Sequence, residues 1–145
     1  RDSSTSRGLG DVYKRQELYV ESQYHRGRPY IGEYLDEVTG YWLKGDQERS
    51  RYYNHSTFND LMITGLIGLR PRLDDTIEIN PLIPADKWDW LCLDNVLYHG
   101  HNLTILWDKN GDRYHCGKGL RIFVNGKEAG HADTLTRLVC ENALK

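Results

Sequence analysis

No stretch of this chain approaches the ~20 consecutive apolar residues that a helix needs to cross a bilayer, so no membrane-spanning helix is expected. Cysteine is sparse. Cys92, Cys116 and Cys140 lie far apart and form no CxxC pair, which gives neither a zinc signature nor a disulfide framework. Each is expected to be a small buried apolar residue. A surplus of one charge is also missing. With 19 Lys and Arg against 21 Asp and Glu, the net charge is −2, and neither nucleic acid nor a membrane surface is an expected partner. Phenylalanine occurs only twice, against ten Tyr and four Trp. Aromatics with a polar handle suit a sugar-binding surface, and they suit partly wet packing layers equally well. At 145 residues the chain is long enough for one domain with a reasonable core.

The chemistry concentrates between Pro29 and Pro71. Glu33 follows a glycine and precedes Tyr34, with Tyr30, Tyr41, Trp42, Tyr52 and Tyr53 close in sequence and no apolar periodicity turning the carboxylate toward a core. Aromatic rings around a carboxylate suit a carbohydrate, whose ring faces stack on aromatics while its hydroxyls seek polar partners. Glycoside hydrolysis usually needs two carboxyl groups, one protonated and one ionised, and Glu33 fits the ionised one. Glu33, Asp36 and Glu37 also read as solvated loop acids, with the tyrosines covering a helix end. No cofactor is implied, because two carboxyls and water suffice.

The segment EYLDEVTG, followed after a polar loop by YNHSTFNDLMITGL and then RPRLDDTIEINPLIP, resembles the last hairpin of the (α/α)6-barrel glycosidases. That six-hairpin group includes glucoamylases, trehalases, processing α-glucosidases and mannosylglycerate hydrolase. The resemblance spans about residues 17–145. It implies that Glu33 is the general base of an inverting mechanism, that Tyr34 is the aromatic beside it, and that Asp36 and Gly40 shape the turn. Tyr41, Trp42, Asn54 and His55 are then candidate substrate contacts. His55 stands where many relatives have tryptophan, a departure that points to a branch close to mannosylglycerate-hydrolase-like proteins. On this resemblance the substrate is an oligosaccharide or glycoside. The general acid would sit in a missing N-terminal part of the same polypeptide, and the location would be periplasmic or extracellular, with the cytoplasm open. The other function class is a non-catalytic carbohydrate-binding or structural β module.

Residues 1–16, RDSSTSRGLGDVYKRQ, lack an apolar face, and their last six resemble a translated sequencing-library adapter. They are set aside as an artefact or a disordered tail. The expected class is an α+β fragment, with the end of an (α/α)6 barrel over 17–71 and a small antiparallel β-sandwich or sheet over 72–145. Residues 17–26 read as a short helical turn stopped by Gly27 and Pro29. A second helix is expected from His55 or Ser56 to Leu69, capped by Ser56 or Asn54 and ended by Arg70-Pro71. Its buried face would carry Phe58, Leu61, Met62, Gly65, Leu66 and Leu69.

Strands are expected at 76–79, 91–93, 96–99, 102–108 and 120–124, with Leu103, Ile105 and Trp107 on one apolar face. Asn110-Gly111 and Asn125-Gly126 signal tight turns, the second a hairpin. His99 and His101 flank Gly100 with no third ligand in reach, so a strand-turn is expected there and no metal site. Trp88 and Trp90, bracketing Asp89, either line a cleft or seal an interface. The Asn102-Leu103-Thr104 sequon falls inside a strand and reads as chance.

Overall fold

Two-residue turns set much of the local architecture. Successive residues at positive φ mark Arg26-Gly27 (52° and 74°), His99-Gly100 (49° and 78°) and Asn125-Gly126 (50° and 80°). This is the type I′ geometry whose twist matches a β-hairpin. The structure, a computed structural model, describes residues 18, 20–30, 36, 38–39, 41–42, 48 and 58–145. The chain divides into two units, Arg1–Leu61 and Met62–Lys145.

In the first unit, strands β1 (Tyr24–His25) and β2 (Arg28–Pro29) pair antiparallel, Tyr24 opposite Pro29 and His25 opposite Arg28. The expected helical turn over 17–26 is therefore shorter than its sequence pattern. Ser22 N–H donates to the Leu18 carbonyl at 2.9 Å, and helix gives way to the hairpin after Glu21. Gly27 is the second residue of a tight turn and does not stop a helix.

Further along, helix α1 (Phe58–Asp60) continues as a π-helix over Leu61–Leu66, where the Ile67 N–H reaches the Met62 carbonyl at 2.9 Å. This helix ends before Leu69, in contrast to the sequence expectation. Gly68 has φ +77°, a conformation that side chains disfavour, and it lies against the Asn80 backbone, whose N–H donates to the Gly68 carbonyl at 2.8 Å. Gly68 thus ends the helix and lets a strand, not a helix, come close. Leu69 belongs to a strand, and Leu66, Ile67 and Leu69 are all buried. The proposed caps Asn54 and Ser56 lie outside the described residues. Helix among the described residues is confined to these short pieces, and they show no barrel hairpin.

The second unit is a sandwich of two antiparallel sheets. Strands β3 (Leu69–Arg70), β4 (Ile77–Ile79) and β9 (Leu138–Cys140) form one in the order β3-β4-β9. Strands β5 (Trp90–Tyr98), β6 (His101–Asp108), β7 (Gly119–Val124) and β8 (Lys127–Ala132) form the other as a meander. Alternation decides which residues face inward. Leu103, Ile105 and Trp107 stand opposite Val124, Ile122 and Leu120 on one side and Val96, Leu93 and Leu91 on the other. Ile77 and Ile79 of the facing sheet are fully buried. Gly130, opposite Ile122, sits directly against Cys140 Sγ, so the two sheets meet where a side chain is missing. Tyr98 OH also accepts the Arg72 N–H at 3.0 Å, joining the end of β5 to the segment after β3.

The two β-runs expected at 91–93 and 96–99 are one strand. Asp94 and Asn95 bulge out of it, with Asn95 at φ +58°, and Thr104 Oγ1 donates to Asp94 at 2.6 Å. Cys140 is buried as expected, but Cys92 and Cys116 are exposed. Cys92 lies on the outer face of β5, opposite Leu106. Among the described residues no helix is long and apolar enough to cross a membrane.

Candidate functional site

The β1–β2 hairpin presents His25 and delivers Tyr30, whose N–H donates to the Gln23 carbonyl at 2.8 Å. Asp36 then shapes the next turn. Its Oδ1 accepts the N–H of Val38 (3.0 Å), the N–H of Thr39 (2.7 Å) and the Thr39 hydroxyl (2.9 Å). Hydrogen bonds from the Thr39 backbone, the Thr39 hydroxyl and the Val38 backbone hold this carboxyl below the usual range. Asp36 N–H closes the turn on the Tyr41 carbonyl at 2.7 Å. A carboxylate so committed fits the turn-shaping role expected for Asp36 and not that of a proton donor.

The turn returns Tyr41 and Trp42 to the hairpin. His25 lies 5.2 Å from Tyr30 and 5.3 Å from Tyr41, ring centre to ring centre, and Tyr30 meets Trp42 edge-on at 5.3 Å. Tyr41 is 51% exposed and Trp42 only 8%, so the cluster has a wet rim and a buried base. Trp42 Nε1 is buried with no hydrogen-bond acceptor among the described residues. Of the six candidate site residues, Tyr41 and Trp42 are thus brought together, while Glu33, Tyr34, Asn54 and His55 lie outside the described residues. His25 joins the cluster without having been singled out from the sequence. The two-residue Arg26-Gly27 spacing is the signal that would have found it.

Concave regions also occur among the described residues of the sandwich. One, of about 560 Å³, is lined by Arg72, Asp74, Thr76, Arg137, Val139, Glu141 and Asn142. At its edge, Glu78 on the central strand β4 accepts from Arg137 Nε and from Arg72 Nη1, each at 2.8 Å, and Arg72 forks onto Asp74 at 3.0 and 2.9 Å. The hydrogen bond from Arg137, then that from Arg72, hold Glu78 below the usual carboxylate range. The Arg72 hydrogen bond takes Asp74 to about 2, and Arg72 itself is raised. These carboxylates stay ionised at neutral pH, which makes them structural ion pairs and poor acid catalysts.

Both carboxyls have folded pKa values below their unfolded ones. Their stabilisation is therefore complete above the ordinary carboxylate pKa and fades as pH falls through the folded values, that of Asp74 being about 2. Glu78→Gln is accordingly expected to lower the urea midpoint most at neutral pH, with its curve converging on that of the parent as pH falls below the ordinary carboxylate range. Parallel curves across that range would contradict the assignment.

Another concave region, about 470 Å³, is lined by residues 87–92, including Trp88 and Trp90. Near it, the Asp108 carboxylate is buried and accepts the N–H of Gly111 (2.8 Å), Arg113 (3.0 Å) and Tyr114 (2.9 Å). Burial alone would raise this carboxyl, but the N–H groups of Tyr114, Gly111, Arg113 and Asn110 together lower it. The Asn110-Gly111 turn signal is therefore real, and it lies in a long loop that wraps onto Asp108 and joins β6 to β7, not in a two-residue hairpin turn.

His99 stacks on Tyr98 at 4.3 Å in the β5–β6 turn, and the Asn125 amide meets His101 Nδ1 at 3.0 Å. Among the described residues no group of three or more His, Cys, Asp and Glu side chains is placed to hold a metal ion.

Residues 69–131, from β3 into β8, match the family described as Glycosyl hydrolase family 65, C-terminal domain. A solved structure titled "Sialidase" is 96% identical over 91% of this chain, with a TM-score of 0.80. The match takes in 12% of that protein, so the chain spans about an eighth of the solved structure it resembles. The matched region coincides with most of the sandwich, and both likenesses point to a glycosidase-related protein with a C-terminal β domain of the glycoside hydrolase kind.

Proposed function

We propose that this chain is the C-terminal part of an inverting glycoside hydrolase. In this reading Glu33 takes a proton from the attacking water, and an acid from a segment upstream of the chain protonates the glycosidic oxygen. Tyr34, Tyr41, Trp42, Asn54 and His55 contact the sugar, and His25 backs Tyr41. The observation that carries the reading is the order of parts: a glutamate in an aromatic setting, a short helix, then a β-sandwich matching a glycosyl hydrolase C-terminal domain. The aromatic cluster adds support, since the half-exposed Tyr41 ring, set against His25, offers a face on which a sugar ring can stack. The substrate is an oligosaccharide or glycoside, and a periplasmic or extracellular location accords with such a substrate.

The test is stereochemical. Proton NMR of the first product formed by the longer enzyme should show the anomer opposite to that of the substrate bond. Retention of configuration would contradict the mechanism. A second reading, a non-catalytic carbohydrate-binding or structural β module, has support in the ion-pairing of Glu78 and Asp74, which leaves the sandwich without an evident acid catalyst among these two carboxylates.

A further inference from the structure

Trp90 is large, apolar and 51% exposed, yet it is held rigidly. It opens β5 opposite Asp108, and the loop that Asp108 gathers lays the Arg113 guanidinium 4.3 Å over the indole ring. Tyr114 meets the same ring edge-on at 6.5 Å. The segment leading into Trp90 is fixed as well. Trp107 Nε1 donates to the Trp88 carbonyl at 3.0 Å, Lys109 N–H donates to the Asp89 carbonyl at 2.9 Å, and Lys109 Nζ pairs with the Asp89 carboxylate at 2.9 Å. The core does not need this indole, since Leu91 and Trp107 already fill the sheet interior beside it. A pinned, half-exposed indole beside a groove of about 470 Å³, rimmed by Lys87 and Asp89, lies within the size range of small-ligand sites.

We propose that Trp90 is the stacking platform of a carbohydrate subsite on the sandwich, taking one pyranose unit of a glycan. A pyranose presents an apolar C–H face and a ring of hydroxyls. The indole supplies the first partner, while Asp89 and Lys87 supply acceptors and donors for the second. A protein partner fits less well, because the apolar surface around Trp90 is a groove flanked by Lys87, Asp89, Lys109 and Arg113 and not a broad apolar face. Stacked Arg113 holds the ring in place at no cost in ordering when the sugar arrives. The ligand class rests on the glycosidase reading; the platform geometry does not.

The experiment is isothermal titration of the full 145-residue chain with cellotriose, maltotriose and trigalacturonic acid. At least one is expected to bind with a Kd of about 1 mM, and Trp90→Ala should weaken it about tenfold or more. Trp90→Phe should recover part of the binding, and Leu97→Ala, an exposed side chain near the other end of β5, should leave it intact. Equal thermal unfolding curves would show that the Trp90 variants fold. Binding lost in Tyr41→Ala and kept in Trp90→Ala would place the sugar in the aromatic cluster and overturn the platform. Absence of binding by all three sugars would also overturn it, as would self-association abolished by Trp90→Ala without a sugar response. None of these outcomes touches the stereochemistry of hydrolysis, so the platform and the glycosidase reading fail separately.

Discussion

In the longer enzyme that carries this segment, Glu33→Gln is expected to lower kcat by about 10²–10⁴-fold while KM changes little. Glutamine keeps the shape of the side chain and its capacity to hold a water molecule, but it cannot accept the proton that water must lose as it attacks. The interaction removed therefore exists chiefly in the transition state, so kcat and kcat/KM should fall together. A change at Tyr41 should behave differently. An exposed ring that stacks on the sugar stabilises ground and transition states alike, so its loss should appear mainly in KM. Steady-state kinetics on folded variants separate the two. A Glu33→Gln enzyme within a few-fold of the parent would remove Glu33 from the mechanism.

The second large effect concerns folding. Gly68→Val is expected to destabilise the full chain by about 4 kcal/mol, combining the strain of a β-branched residue at positive φ with overpacking. The added Cβ would run into the Asn80 carbonyl, which is main chain and cannot rotate away. Loss of that approach also strains the bond from Asn80 N–H to the Gly68 carbonyl and its neighbour from Leu82 N–H to the Leu66 carbonyl, both 2.8 Å. A unit of roughly 80 residues has only about 4–12 kcal/mol of stability in total. The thermal midpoint should accordingly fall by about 15–30 °C. A midpoint within a few degrees of the parent would show that the Gly68–Asn80 contact is not what ends the helix.

Much of the sandwich was legible because its information is local. Leu103, Ile105 and Trp107 alternate in sequence and face the core, and Asn125-Gly126 turns the hairpin that its residue types require. Strands β3 and β9 were not legible. They are two and three residues long and exist through pairing with β4, which brings Leu138 opposite Ile79 across the length of the unit. The helix expected to reach Leu69 failed for a related reason: its three-and-four spacing continued past Gly68, while the Asn80 backbone decides where the chain turns. Cys92 was expected inside from its residue type alone, and it is exposed, next along β5 to the buried Leu91.

At the candidate sites, ion pairs such as Arg137 with Glu78, 59 positions apart, have no local signature. The carboxylate of Asp108 works through backbone N–H groups, which every loop possesses. Tyr41 and Trp42 were legible as aromatics near Glu33, but their convergence on His25 depends on the turn that Asp36 closes.

Sequencing the source DNA upstream across the Gln16–Glu17 junction tests the central claim most directly. The account predicts an open frame that continues from Glu17 into repeated helical hairpins, with an acidic residue in a loop able to serve as the general acid. A true start codon immediately ahead of Arg1, with residues 1–16 encoded in place, would leave Glu33 without a partner acid and contradict the glycosidase reading.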